Sequence, residues 1–215
     1  MERIRKHRGI RAARAPPGAS ERVYPAREDS FLLLRFARAR AGARVLDVGT
    51  GSGLLALAAA RAGARVVATD RNPHALRRVR DLARAQGLRV DPVRTDLGRG
   101  VGRFDRVLAN PPYLPTSAAE RDPDRWHNLA LDGGPDGLAV TRRLLAELPR
   151  LLRPGGSAFV VFSSVQDPRG TAALRRAWRR HGTVATVAVR SLEGERLSVW
   201  RLRLPRRRAQ SARSA

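Results

Sequence analysis

The sequence predicts an α/β domain: a seven-stranded, mostly parallel sheet with helices on both faces and an antiparallel hairpin at one edge. Three observations predict it. Short apolar runs in the first half alternate with helical patterns, as expected of parallel strands buried on both faces and joined by right-handed crossovers. The last two apolar runs are separated by Glu193 and Gly194, a turn that implies an antiparallel pair. A glycine-rich segment follows the first run and leads into a helix, an arrangement that lets a ligand approach the backbone closely.

Taken in order, residues 1–20 hold six Lys or Arg against Glu2, and Pro16, Pro17 and Gly18 break any helix, so a poorly ordered basic tail is expected there. The domain is expected over 21–204, with a second basic tail at 205–215. From Asp29 or Ser30 as N-cap, Phe31, Leu32, Leu33, Leu34, Phe36 and Ala37 read as a helix ending near Gly42. Strands are expected at Arg44 to Val48, Arg65 to Thr69, Arg89 to Arg94, Phe104 to Ala109, Ser157 to Phe162, Thr183 to Val189 and Arg196 to Leu202. Helices fit at Gly53 to Arg61, Pro73 to Ala85, Leu138 to Leu152 and Thr171 to Arg180, and the first five strands are expected to be helix-linked.

With 215 residues, 42% hydrophobic and 29% charged, the chain can bury a single core. It has no cysteine, which excludes disulfides and thiolate zinc sites and fits a cytoplasmic setting. The four histidines are scattered, so no metal site is expected. Leu54 to Ala60, the longest apolar run in the first half, is far shorter than the roughly 20 residues that cross a bilayer, so no membrane contact is expected. An Arg-rich transit peptide at 1–20 stays open. The net charge of +24 invites a nucleic-acid reading, yet Lys6 is the only lysine, a bias that looks like genome-wide drift. About 11 of the 24 charges sit in the two ends, which read either as solvated tails or as arms for RNA or ribosomal surfaces. Trp126 and Trp178 read as packing residues, and Arg175, Arg176, Arg179 and Arg180 as an exposed helix face.

Asp47-Val48-Gly49-Thr50-Gly51-Ser52-Gly53 follows the first strand. A dinucleotide fingerprint would need its third glycine at the position of Leu54. Asp47 would repel a pyrophosphate but would suit the ammonium end of S-adenosylmethionine. Asp70 ends the second strand, where an acid can accept hydrogen bonds from both ribose hydroxyls, while Asn72 caps the helix that opens at Pro73. Asp96 closes the third strand, placed to accept from an adenine amino group as Leu97 packs on the ring. The three acids share the sheet edge where ligands bind in open α/β folds.

Asn110-Pro111-Pro112-Tyr113 ends the fourth strand. Two prolines hold the backbone extended and leave carbonyls free to accept. The Asn110 side-chain oxygen and the Pro111 carbonyl can take both hydrogens of a planar amino group while Tyr113 stacks on its plane. That suits a weak nitrogen nucleophile of the amide or aromatic-amine type. No strong base is needed, because the proton is acidic once the nitrogen is methylated.

From about Val23 to Leu204 the sequence resembles the HemK-like family of release-factor glutamine methyltransferases, of Rossmann-like class I methyltransferase fold. The resemblance rests on the loop Asp47 to Gly53, on Asn110 to Tyr113, on Leu131-Asp132-Gly133-Gly134-Pro135-Asp136-Gly137-Leu138, and on the start Val23 to Phe31. It implies cofactor contacts from Ser30, Asp47, Gly49, Asp70, Asp96, Leu97 and Asn110, with Thr50, Gly51 and Gly53 completing the loop. It also implies substrate contacts from Asn110, Pro111, Pro112, Tyr113 and Leu114. In one departure, proline directly follows Tyr24. Bacterial members carry an N-terminal helical domain for which this chain has no room, so it resembles the short branch. The eukaryotic members of that branch work with a small zinc-binding activator protein. The implied activity is S-adenosylmethionine-dependent methylation of the glutamine amide in the Gly-Gly-Gln motif of a peptide-chain release factor.

Two alternatives stand beside it. Motifs of the Asn-Pro-Pro-Tyr type also serve N6-adenine methyltransferases of RNA or DNA, which need a flipped or single-stranded base. The insertion from Leu114 to Gly137 sets Arg121 and Arg125 against Glu120, Asp122, Asp124, Asp132 and Asp136, which leans toward a protein substrate. The other is a non-catalytic nucleic-acid-binding protein on a relic fold, against which the intact tetrapeptide speaks.

Overall fold

A computed structural model describes residues 22–206. The segments expected as basic tails, 1–20 and 205–215, lie outside the described residues apart from 205 and 206. In chain order come α1 (Glu28–Leu34), β1 (Arg44–Val48), α2 (Leu54–Arg61), β2 (Arg65–Asp70), α3 (Pro73–Ala85), β3 (Val90–Arg94), β4 (Phe104–Ala109), α4 (Arg125–Leu131), α5 (Ala139–Leu151), β5 (Leu152–Ser163), α6 (Pro168–Trp178), β6 (Thr183–Leu192) and β7 (Glu195–Arg203). The strands form one seven-stranded sheet in the order β3-β2-β1-β4-β5-β7-β6. The pairs from β3 to β5 are parallel, and β7 runs antiparallel to both β5 and β6. The order reverses between β1 and β4, the switch point at which an open α/β sheet leaves a crevice.

Strand alternation sends apolar side chains to both faces. Val45, Val66, Ala68, Leu108, Phe159 and Val161 pack under α1 and α2 with Val79 of α3. Leu46, Val48, Val107, Ala109, Val160 and Phe162 pack under α5, with Trp178 of α6. Trp178 is a packing residue, as expected: it is buried, and its indole N–H donates to the Thr183 carbonyl at 3.0 Å.

The structure corrects four expectations. No helix links β3 to β4; a turn region at 95–103 carries the chain across. Helix α1 begins at Glu28 with Arg27 as an N-cap that makes no side-chain cap bond, because the Asp29 and Ser30 side chains face residues of the fourth strand end instead. It stops at Leu34, where Phe36 turns to stack on Phe159 with ring centroids 4.9 Å apart and gives its carbonyl to Arg106 at 2.8 Å. Helix α4 lies inside the insertion from Leu114 to Gly137, where the sequence pattern assigns no helix; Asp124 caps it by accepting from the Trp126 N–H at 2.8 Å. Of the arginines placed on the exposed face of α6, Arg175 instead covers the Trp200 ring at 5.1 Å and donates to Thr186.

Candidate active site

A cavity of about 480 Å³ opens at the C-terminal edge of the sheet, within the size range of small-molecule sites. The ends of β1, β2 and β4 and the turn after β3 form its floor, segment 23–30 and α4 flank it, and Leu192, Glu193 and Glu195 of the β6–β7 hairpin close one side. Segment 23–30 lines the cavity along its whole length, with proline directly after Tyr24.

The glycine loop is tied down by its own N–H groups. Gly49 and Thr50 donate to the Thr69 carbonyl at 2.8 and 2.9 Å, Gly51 donates to Asp70 Oδ2 at 3.0 Å, and Gly53 donates to the Thr50 carbonyl at 2.9 Å. A loop built to hold a pyrophosphate presents such donors to the anion; here protein acceptors take them. Asp70 bridges outward as well, accepting from the Asn72 N–H at 2.8 Å. Burial pushes its carboxyl pKa up against the opposing pull of the Asn72 and Gly51 N–H bonds.

Asp47 sits beneath the loop, 1% exposed, and neither it nor Gly53 lines the cavity. Its Oδ2 accepts from the Thr50 hydroxyl at 2.7 Å and from the Ala56 N–H at 3.1 Å. Ala56 is the third residue of α2, whose N-cap, Gly53, has no side chain to offer, so Asp47 supplies the cap from the strand. Its Oδ1 is buried with no partner, and burial raises the carboxyl pKa to about 7.

Asp96 and Leu97 line the cavity beyond β3. Leu97 has φ of +53°, the sole left-handed non-glycine residue among those described, and such strain gathers at ligand sites. Asp96 Oδ2 forms an ion pair with Arg143 of α5, a lining residue that sequence reasoning missed. The pairing spans 47 positions, which no local pattern reveals.

At the end of β4, the Asn110 Nδ2 donates to Ser30 Oγ at 3.2 Å, which fixes the amide so that Oδ1 is the remaining polar atom; that oxygen is buried and has no partner. Among the described residues no donor reaches the Pro111 carbonyl. Tyr113 donates its hydroxyl to Asp29 Oδ2 at 3.1 Å, and burial together with the Asp29 charge pushes its pKa well above the usual phenol value. Asp29 is a second residue that sequence reasoning missed; it was read only as a cap. Helix α1 thus holds both ends of the tetrapeptide through side-chain bonds between residues 80 and 84 positions apart in sequence.

The segment from Leu131 to Leu138 braces the tetrapeptide from behind. Leu114 donates its N–H to the Leu131 carbonyl at 3.1 Å and accepts from the Gly133 N–H at 2.9 Å. Gly137, at φ +72°, lies against the Tyr113 carbonyl, where a Cβ would come within 2.4 Å of the oxygen. Trp126 of α4 also lines the cavity, edge-on to His74 at 5.5 Å and beneath the Arg125 guanidinium at 4.1 Å. Its reading as plain packing missed that position.

Two unpaired acceptors at one strand end, beside a glycine loop that spends its Gly49, Thr50, Gly51 and Gly53 N–H groups on protein acceptors, suit a ligand with cationic and hydroxyl groups and a substrate with a planar NH₂. Comparison with known proteins agrees. Residues 27–129 match the methyltransferase small domain. A putative protein N5-glutamine methyltransferase of Methanocaldococcus jannaschii is 38% identical over 151 residues, 69% of this chain and 76% of that one. The mouse methyltransferase HEMK2 is 34% identical over 198 residues, 86% of this chain and 91% of that one. The chain spans about half the length of the bacterial release factor glutamine methyltransferases it also matches. The fold is shared with E. cuniculi Mtq2, solved in complex with Trm112, at a TM-score of 0.65 and 24% identity, covering 86% of this chain and 99% of that one. With most of both the archaeal and the mouse relative covered at more than 30% identity, the chain belongs to the HemK-like family of protein N5-glutamine methyltransferases.

Proposed function

We propose that the chain methylates the side-chain amide nitrogen of the glutamine in the Gly-Gly-Gln motif of a peptide-chain release factor, with S-adenosylmethionine as methyl donor. The observation that carries this reading is the buried, unpartnered Asn110 Oδ1, held in place through Nδ2 by Ser30, beside the free Pro111 carbonyl. The loop from Gly49 to Gly51 with Asp70, and Asp96 with Leu97, are proposed to hold the cofactor, and Asn110 to Leu114 the substrate. Asp47 acts from beneath, through its hold on Thr50 and α2. When bound, the cofactor supplies an electrophilic methyl group on a sulfonium.

The remaining chemistry belongs to the chain. An amide nitrogen is a weak nucleophile because its lone pair is delocalised into the carbonyl. Asn110 Oδ1 and the Pro111 carbonyl accept its two N–H bonds, orient the lone pair, and draw the hydrogens toward oxygen as positive charge develops on nitrogen. Tyr113, protonated and anchored on Asp29, presents its ring to the amide plane. The proton shed by the methylated nitrogen is acidic enough to pass to solvent without a strong base.

The rim disfavours a nucleic-acid strand at this edge. Glu28, Asp29, Asp70, Asp96, Glu193 and Glu195 line the cavity against Arg27, Arg71 and Arg143, so phosphates entering there meet more acidic than basic side chains. A small zinc-binding activator subunit is part of the proposal, supported by the Mtq2–Trm112 complex. Contact of the basic ends with the ribosome or RNA is also part of it. The deciding experiment incubates purified protein and activator with S-adenosylmethionine and either a full-length release factor or RNA and DNA. Mass spectrometry is expected to place one methyl group on the Gly-Gly-Gln glutamine. Methylated adenine with an untouched glutamine would overturn the proposal.

A further inference from the structure

The opposite edge of the sheet carries a different charge. All strands but β7 open at that edge and β7 ends there. In sheet order from β3 to β7 the residues at the edge are Arg89, Arg65, Arg44, Arg103, Arg153 and Arg203, one arginine for each of six consecutive strands. Arg44 is the direct register partner of Arg65, and Val66 pairs with Val90, which sets Arg65 beside Arg89. At about 4.8 Å between neighbouring strands, the row is roughly 24 Å long.

Arg65, Arg89, Arg103 and Arg203 are exposed, and among the described residues none of them forms an ion pair. The acids at this edge are Asp105 and Asp91. Asp105 is already engaged by the Arg44 N–H at 2.8 Å and by Arg153 at 3.3 Å. Arg61, Arg84 and Arg150 at the ends of α2, α3 and α5 complement helix dipoles, which accounts for them. Strands carry only a small net dipole, so the row at their openings has no such explanation. Genome-wide arginine bias does not by itself place an arginine at this edge for each of six consecutive strands.

We propose that this arginine row is a docking surface for the phosphate backbone of single-stranded RNA. A row of that length faces about seven phosphates at 3.4 Å per nucleotide along a stacked strand. It is separated from the site by the length of the strands, roughly 17 to 20 Å, so the RNA is an anchor and not the methyl acceptor. Arg206, the last described residue, lies against Gly155 at the same edge, and Arg207 and Arg208 follow in sequence.

The test measures anisotropy of a labelled oligouridine of about 12 nucleotides with the full chain across a salt series. One triple variant, Arg65→Gln, Arg103→Gln and Arg203→Gln, removes three charges from the row. A second, Arg77→Gln, Arg78→Gln and Arg169→Gln, removes three exposed charges from α3 and α6. The first is expected to bind about 100-fold more weakly at 0.1 M salt, with the slope of log K against log salt shallower by about 2. The second is expected to stay within about threefold of the parent, and lysine at the three row positions to restore binding to a similar margin. Equal losses in the two glutamine variants, unchanged binding in the first, failure of lysine to restore it, or no binding by the parent chain would overturn the proposal. Methylation of an isolated release factor by the first variant reads the catalytic site separately.

Discussion

Replacing Gly137 with alanine tests whether the glycine-rich segment holds the tetrapeptide in place. At φ +72° an alanine adopts the left-handed region at a cost of about 1 to 2 kcal/mol. The new Cβ would also fall 2.4 Å from the Tyr113 carbonyl oxygen and 3.2 Å from Gln166 Cγ. Gln166 cannot swing away cheaply, because its amide donates to the Gly137 carbonyl at 2.8 Å and accepts from the Ser163 N–H at 3.0 Å. Backbone must therefore move, and overpacking of that kind costs roughly 1 to 3 kcal/mol. The sum, about 2 to 5 kcal/mol, lowers the thermal midpoint by roughly 4 to 20 °C for a domain of this size. Because the displaced atom belongs to Tyr113, kcat should fall as well. Gly87→Ala is the control: φ there is +63° with nothing within 4 Å of the new Cβ, so only the backbone cost applies. Calorimetry on both variants and single-turnover methylation by both provide the comparison. If Gly137→Ala matches Gly87→Ala in midpoint and activity, the bracing role is wrong.

Asp70→Ala removes the acceptor of the Gly51 and Asn72 N–H groups and the proposed ribose contact, and should weaken S-adenosylmethionine binding by about 10- to 100-fold in calorimetry. Ser30→Ala frees the Asn110 amide to rotate, a loss of about 1 kcal/mol that should appear as an approximately fivefold fall in kcat with KM for the release factor nearly unchanged. Asp47 has a folded-state pKa near 7, above its ordinary value of 3.8, so the folded protein keeps a proton that the unfolded chain has released between those values. Stability should accordingly fall as pH rises from about 4 to about 7, by on the order of 4 kcal/mol, and then level off. Chemical denaturation of Asp47→Asn across that range should show a flatter profile; an unchanged profile would remove Asp47 as its source.

The sheet was readable because its strands are short apolar runs set between helices, and α3 keeps its expected bounds because Asn72 and Pro73 mark its start. Asp70, Asp96 and Asn110 line the cavity because strand ends on one edge of a parallel sheet must meet there. Helix α4 escaped notice because seven residues with three polar side chains carry too little periodicity, although Asp124 before Trp126 is a usable start signal. Asp47 was legible in position but not in its contacts: its cap of Ala56 reaches across a loop, and only the packed structure shows which way the carboxylate turns. Arg143 on Asp96 and Asp29 on Tyr113 were invisible for the same reason, since each pair joins elements far apart in sequence.

The most direct measurement concerns Asn110, which carries the proposed chemistry through one buried oxygen. Asn110→Ala should retain the fold, bind S-adenosylmethionine within about tenfold of the parent chain, as loss of a single hydrogen bond allows, and lose methyl transfer to the release-factor glutamine by about 100- to 1,000-fold. An Asn110→Ala protein that methylates the glutamine at the parental rate would contradict the account.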